Sequence, residues 1–226
     1  MGKKYWVFTD FDGTVTLDDN QVQILDAFAV KNWREIEYRI LEKGGKSRAY
    51  LPAIYQDFSQ KDPEQILQFI RDNVRPDPYF PKFVQFCQTS ELPLEIVSDG
   101  LHIYIEDYLQ RMGLEELTYY SNVVKVDQTG FSFEHPYLNA ECGKCGTCKD
   151  KIVTTKQKEG YRVIYIGDGI SDECAAQRGD LIFAKGKLAQ YCVDQGISYI
   201  PYETFAEVIK YLQGLNWDEV HDNVAQ

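Results

Sequence analysis

A chain of 226 residues, 44% hydrophobic and 26% charged with 12 Phe, 16 Tyr and 3 Trp, can bury one ample core or one core with a small subdomain, and is too aromatic for a disordered segment. Its 35 acidic against 24 basic residues give a net charge of −11, which repels phosphate backbones and anionic lipid. Nucleic acid and membrane are therefore not expected partners, and an anionic small substrate needs a local cation, from a lysine or a metal ion.

The apolar run Tyr5-Trp6-Val7-Phe8 reads as a first β-strand, and Asp10-Phe11-Asp12-Gly13-Thr14 follows it directly. Alternate residues of a strand project to the same side, and ligands of open α/β sheets bind beyond the strand carboxyl ends, so Asp10 and Asp12 can act on one substrate. The chain then turns helical. Asp18 or Asp19 can cap an amphipathic run over 21–29, and Trp33, Ile36, Ile40 and Leu41 have helical spacing in 33–42, which Gly44-Gly45 ends. Further helices are predicted over 47–58 and 63–73, the latter with Asp62 as cap and Pro63 at its first position, before a hinge at Arg75-Pro76-Asp77-Pro78.

From residue 79 helix and strand alternate: a helix over 79–89, a strand over 94–97, a helix over 103–112 and an apolar strand over 119–126. A hairpin turn at Gln128-Thr129-Gly130 precedes Phe131-Ser132-Phe133. A helix near 151–159, a strand over 163–166, a short helix, a strand over 181–183 and a last helix over 204–213 complete the pattern, with a polar acidic tail after Trp217. The expected fold is α/β, a Rossmann-like parallel sheet formed by 1–16 and 79–226 with a small helical cap, 17–78, inserted after the first strand. An insertion of that length exceeds an ordinary loop and can close over a ligand and exclude water.

Two more predicted strands end in polar groups, at Ser98-Asp99-Gly100 and at Gly167-Asp168-Gly169, with Asp172 close behind. In a parallel sheet these ends converge, so Asp10, Asp12 and Asp168 can hold a hard divalent cation of the Mg²⁺ type, and a carboxylate beside it can attack phosphorus.

Taken in order, Asp10-x-Asp12-Gly13-Thr14, Ser98-Asp99-Gly100, Lys149 and Gly167-Asp168 with Asp172, the chain resembles the haloacid dehalogenase superfamily of phosphatases and phosphotransferases across nearly its whole length. The resemblance implies that Asp10 is a nucleophile forming an aspartyl-phosphate and that Asp12 protonates the leaving oxygen and then deprotonates water. It implies Mg²⁺ held by Asp10, Asp168 and the backbone carbonyl of Asp12, with Asp172 holding the site from nearby. By the same resemblance Ser98 bonds a phosphoryl oxygen, Asp99 and Gly100 offer backbone N–H groups, and Lys149 neutralises developing charge. Lys151 is the competing lysine, since both open one predicted helix and only one can reach the site.

Cys142, Cys145 and Cys148 are crowded, while Cys87, Cys174 and Cys192 are scattered, a pattern unlike a disulfide framework. With His135 as fourth ligand the cluster can take zinc; the alternative is a structural loop of small residues beside the active site. A Cys-rich segment leading into Cys148-Lys149, with an early helical cap, is similar to the phosphoserine-phosphatase-like branch, and within it to the methionine-salvage phosphatases acting on 2-hydroxy-3-keto-5-methylthiopentenyl-1-phosphate. Phosphatases of phosphoserine, phosphoethanolamine or phosphocholine are the alternative, and a non-catalytic phosphate-binding module the remote one. In the cap, Lys43 and Arg48 are expected near the non-phosphate end of the substrate. The short, early-charged amino terminus and the lack of a run of about 18 apolar residues imply a cytoplasmic protein. The resemblance, with its small cap, implies a small phosphorylated metabolite as substrate, and a monomer or homodimer is expected.

Overall fold

The computed structural model describes residues 4–56, 58, 62–127, 130–215 and 217. In chain order these form β1 (Tyr5–Thr9), α1 (Asn20–Phe28), α2 (Trp33–Glu42), α3 (Ser47–Tyr55), α4 (Pro63–Asn73), α5 (Phe80–Thr89), β2 (Leu94–Leu101), α6 (His102–Met112), β3 (Tyr119–Asp127) and β4 (Gly130–Glu134). They continue with α7 (Lys149–Lys158), β5 (Arg162–Gly167), a 3₁₀ turn at Ile170–Asp172, α8 (Glu173–Ala176), β6 (Leu181–Ala184), α9 (Gly186–Gln195), β7 (Ile200–Pro201) and α10 (Phe205–Gln213). Among the described residues no helix is long and apolar enough to cross a membrane.

The strands make one sheet in the order β4-β3-β2-β1-β5-β6-β7, parallel throughout except where β4 returns antiparallel along β3. Both faces of its centre are covered, which is why the strands read as continuous apolar runs. Period-two alternation assigns the faces. Val7, Ile96, Ile164 and Ile166 pack with α5, α6 and α10, while Phe8, Val97, Val163, Tyr165 and Ile182 pack with Val153 of α7, Ala175 of α8 and Leu188 and Cys192 of α9. Phe8, Phe80, Phe83 and Phe205 are fully buried, and each such ring contributes about 1.5–3 kcal/mol of transfer free energy.

Helices α1 to α4 form the segment between β1 and the rest of the core, with α1 against α4 and α2 against α3. Their starts follow from capping: Asp19 accepts the Val22 N–H at 2.9 Å for α1, and Asp62 accepts the Glu64 N–H at 3.0 Å ahead of Pro63 for α4. The chain leaves and returns through one narrow place. There the Leu17 N–H donates to the Arg75 carbonyl at 2.8 Å, the Asp77 N–H donates to the Val15 carbonyl at 2.9 Å, and Thr16 bridges Pro76.

Three differences from the sequence reading have local causes. Strand β2 runs past Ser98 to Leu101, because its pairing with β3 slips between Val97 and Leu101 and keeps the backbone extended through Ser98-Asp99-Gly100. Helix α3 stops at Tyr55, where Tyr55 and Phe58 turn onto Phe131 and Phe133 of β4. Helix α9 was not expected, since it opens on Gly186 at φ 54°, a turn-like residue, yet Leu188 and Cys192 give it a buried face. The predicted turn residues Gln128 and Thr129 and the polar tail after Trp217 lie outside the described residues.

Candidate active site

Asp10 follows β1, where its N–H donates to the Ile166 carbonyl at 2.9 Å and so joins the ends of β1 and β5. Its Oδ1 accepts the Phe11 N–H at 2.7 Å, and its Oδ2 lies 2.7 Å from Nζ of Lys149. Lys149 opens α7 and donates also to Asp172 at 2.6 Å and to the Ser171 hydroxyl at 3.0 Å. Asp172 is fully buried and its oxygens are committed: Tyr165 donates to one at 2.6 Å, and the N–H groups of Asp168 and Gly169 donate to the other at 3.1 and 2.9 Å. Lys151, by contrast, is exposed and bonds the Leu138 carbonyl, so the geometry separates the two lysines.

Asp168 takes the Thr14 hydroxyl at 2.8 Å. Gly13 permits that approach: it sits at φ 74°, and a Cβ there would stand 2.3 Å from Asp168 Oδ2. Oxygens of Asp10, Asp168 and Asp172 lie within 4.8 Å of one another, the one group of this kind among the described residues, and together they can hold a metal ion.

The electrostatics suit a cation. Asp10 and Asp172 share the ammonium of Lys149, and the carboxylate of Asp168 lies beside them. Burial and then Asp172 push the Asp10 carboxyl well above its usual range despite Lys149, and burial and then Asp172 raise Asp168 to about 7. Burial also works against charge on Asp172 and Lys149, but Lys149 outweighs it for Asp172, and Asp10 and then Asp172 outweigh it for Lys149, keeping Asp172 low and Lys149 firmly protonated. A divalent ion would supply the positive charge these carboxylates lack, so the donor set fits one.

Asp12 occupies a separate cradle. Its Oδ1 accepts the Asn20 backbone N–H at 3.1 Å and the Asn20 amide at 2.8 Å, and its Oδ2 accepts the Tyr104 hydroxyl at 2.9 Å. Burial, then Asp19, raise its carboxyl to about 7. Ser98 is fully buried, with Oγ 3.5 Å from Asp12 Oδ2, and accepts the Gly100 N–H at 3.0 Å. That bond takes up the Gly100 N–H, so of this pair the Ser98 hydroxyl, which donates to Asp12 only at the long distance of 3.5 Å, is the group that can turn to a ligand. A cavity of about 360 Å³ opens here, with Asp10, Asp12, Ser98, Asp99 and Asp168 on one side and Asp19, Val22, Leu25, Trp33, Glu37 and Tyr50, all from the inserted segment, on the other.

Compared with known proteins, residues 5–220 match the family described as Putative Phosphatase. The chain belongs to that family. A 2-hydroxy-3-keto-5-methylthiopentenyl-1-phosphate phosphatase of Lysinibacillus sphaericus (strain C3-41) is 30% identical over 217 residues, covering 92% of this chain and 94% of that protein. A protein of the same name from Bacillus cereus (strain 03BB102) is 30% identical over 216 residues, covering 92% of this chain and 96% of its own. Among solved structures, a phosphoserine phosphatase described as a phospho-aspartyl intermediate analogue superposes with a TM-score of 0.69 at 17% identity, over 93% of this chain and 99% of that one. That likeness establishes the fold. The protein is a phosphatase with the haloacid dehalogenase fold.

In this phosphatase the cysteines do not gather as a zinc site. Cys142 is exposed, Cys148 is buried, and His135 turns its Nδ1 to the Asn122 side-chain oxygen at 2.7 Å. The segment instead behaves as a close-packed loop. The Gly146 N–H donates to Ser47 Oγ at 2.8 Å, a Cβ at Gly146 would stand 2.0 Å from Asn122, and the Thr147 N–H donates to Asp99 at 3.0 Å. Asn122, which neither its type nor its spacing singles out, also donates to the Asp99 carbonyl at 2.7 Å and so fixes that corner of the cavity. The cap cations need correction too. Lys43 is exposed at the end of α2 and Arg48 bonds the Gly143 carbonyl at 3.3 Å; neither lines the cavity, because both point from helix ends toward solvent or the cysteine loop.

Proposed function

We propose that this phosphatase hydrolyses its phosphomonoester through a phosphoryl group carried on Asp10, with Mg²⁺ bound, and that its substrate is 2-hydroxy-3-keto-5-methylthiopentenyl-1-phosphate. The observation that carries the mechanism is the buried Lys149–Asp10 contact at the carboxyl end of β1, beside a second carboxylate in its own cradle. An Asp10 oxygen bonds phosphorus as the P–O bond to the leaving group breaks, and Asp12 gives its proton to the departing oxygen. Asp12 then takes a proton from the water that attacks phosphorus and frees Asp10. Ser98 donates to a phosphoryl oxygen, and Lys149 balances charge as the bonds change. Asp10, Asp168 and the carbonyl of Asp12 would hold Mg²⁺, which would supply Lewis-acid stabilisation of the phosphoryl oxygens, while Asp172 orders the loop behind them.

The substrate reading rests on the names of relatives aligned over more than nine-tenths of the chain and on the apolar wall of Val22, Leu25 and Trp33, which suits a methylthio group. Residues 17–78 act as the cap in this reading, since they supply that wall. A second reading has its own observation: Asp19, Glu37 and Asp99 line the same cavity and would accept an ammonium, as in phosphoserine, phosphoethanolamine or phosphocholine. Phosphate release across these four compounds, with Mg²⁺ and with chelator, decides. Fastest turnover of the methylthiopentenyl phosphate, only with Mg²⁺ and lost in Asp10→Asn, is the expected result. Preference for an amine-bearing compound would favour the second reading, and undiminished release by Asp10→Asn would overturn the mechanism.

A further inference from the structure

The donors around Asp12 all run in one direction. The Leu101 N–H donates to Tyr104 Oη at 2.8 Å, so the single phenolic proton is free to go to Asp12 Oδ2, 2.9 Å away. On the other oxygen, two N–H groups of Asn20 converge on Oδ1. A proton placed on Oδ1 would face those two N–H groups, whereas Oδ2 accepts one short hydrogen bond, from Tyr104, and has its other side toward the cavity, met only by the long 3.5 Å contact of the Ser98 hydroxyl. The two oxygens of Asp12 are thus inequivalent, Oδ1 tethered to the inserted segment and Oδ2 turned toward chemistry.

From this arrangement we infer that Tyr104 is a positioning residue for proton transfer, holding Asp12 so that Oδ2 is the oxygen that gives and takes the proton. The inference rests on the acid–base role of Asp12 proposed above. As Oδ2–H passes its proton to the leaving oxygen, the P–O bond breaks and negative charge appears on Asp12. The Tyr104 hydroxyl already points at that oxygen and donates to it without rearrangement. When water later attacks the phosphorylated Asp10, Oδ2 recovers a proton from that water and the cycle closes.

Two further features show that the contact is built in. Gly100 has no side chain where one would destroy it: a Cβ there would stand 2.0 Å from Tyr104 Oη and 2.3 Å from Asp12 Oδ2. The Tyr104 ring is also fixed, fully buried and stacked on Phe11, the residue between Asp10 and Asp12, with centroids 6.0 Å apart at 23°. The slip in β2 pairing beyond Val97 brings Leu101 and the first turn of α6 into place for this.

The test exploits leaving groups. An alkoxide needs a proton to depart, whereas para-nitrophenolate does not, so kcat/KM for para-nitrophenyl phosphate reports phosphoryl transfer without the acid. Tyr104→Phe keeps the stacked ring and removes only the hydroxyl. It is expected to lower kcat/KM for the fastest alkyl phosphate about 30-fold and for para-nitrophenyl phosphate less than about 3-fold. Both substrates are measured on one preparation, so their ratio is independent of how much protein folds. A ratio equal to that of the unsubstituted enzyme overturns the inference, because a merely structural role lowers both values together. Asp12→Asn separates the two levels. If it collapses the ratio while Tyr104→Phe does not, Asp12 is the acid and Tyr104 is not its support; if neither changes the ratio, the acid–base role of Asp12 fails and the inference with it.

Discussion

The ammonium of Lys149 sits 2.7 Å from Oδ2 of Asp10, and the two side chains are only 2% and 6% exposed. Removing that cation leaves two buried carboxylates without their countercharge. Lys149→Met is therefore expected to destabilise the protein by about 3–5 kcal/mol, since Asp10 and Asp172 lose their shared partner. Turnover should fall at least about 10²-fold. Urea unfolding and phosphate release check this; full stability in the variant would mean that the pair carries no structural weight.

Gly100→Ala should be more damaging than its size suggests. The added methyl would enter the space shared by Tyr104, Asp12 and Ser98. Loss of turnover by about 10²-fold or more is expected, with a displaced Asp12 visible in a crystal structure of the variant. Near-normal turnover would show that the three oxygens can spread apart at little cost.

Stability should depend on pH and on Mg²⁺ together. Asp12 and Asp168 each have a carboxyl raised from 3.8 to about 7, so the folded metal-free protein holds protons that the unfolded chain has released. Their contribution is present at low pH and is lost as pH rises between about 4 and 7. Mg²⁺ favours ionised Asp168, so its stabilisation should be larger at pH 8 than at pH 5. Thermal melts with and without Mg²⁺ at both values test the sign, and an equal Mg²⁺ effect at each pH contradicts it.

The first carboxylates, the order of polar strand ends and most helices were readable because they depend on local spacing. Helices α2 and α4 have the predicted bounds, since the spacing of Trp33, Ile36, Ile40 and Leu41 before Gly44-Gly45, and Asp62 ahead of Pro63, are local signals. What could not be read is carried by contacts between distant residues. Tyr104 meets Asp12 across 92 positions and Asn122 meets Asp99 across 23, and neither side chain stands out by type or spacing. Asn20 was closer to hand, directly after the cap residue Asp19, but its amide reads as ordinary helix-start chemistry. Of the two readings open for the cysteine cluster, zinc site and structural loop of small residues, the packing of Gly146 against Asn122 and His135 fits the loop.

One ion pair joins the inserted helices to the core away from the hinge. Arg71 of α4 donates to Asp107 of α6 at 3.0 Å, where Arg111 also reaches it at 2.8 Å. Arg71→Ala should cost about 1 kcal/mol and raise the rate of proteolysis within α4, because Arg111 still partners Asp107. Asp107→Ala should cost more, and a double-mutant cycle in urea measures the coupling. A coupling of zero would mean that α4 is held by apolar packing alone.

The chain departs at Thr16 and comes back at Pro76, side by side, so everything between them hangs on the sheet as a side branch. Such a branch can be lengthened, exchanged for a foreign one or replaced by a short turn without altering the sequence of strands. Change in the roof over Asp10 can then leave its floor, set by β1, β2 and β5, in place, provided Asn20 still holds Asp12. One hydrolytic centre can in this way be passed from compound to compound as metabolism shifts around it.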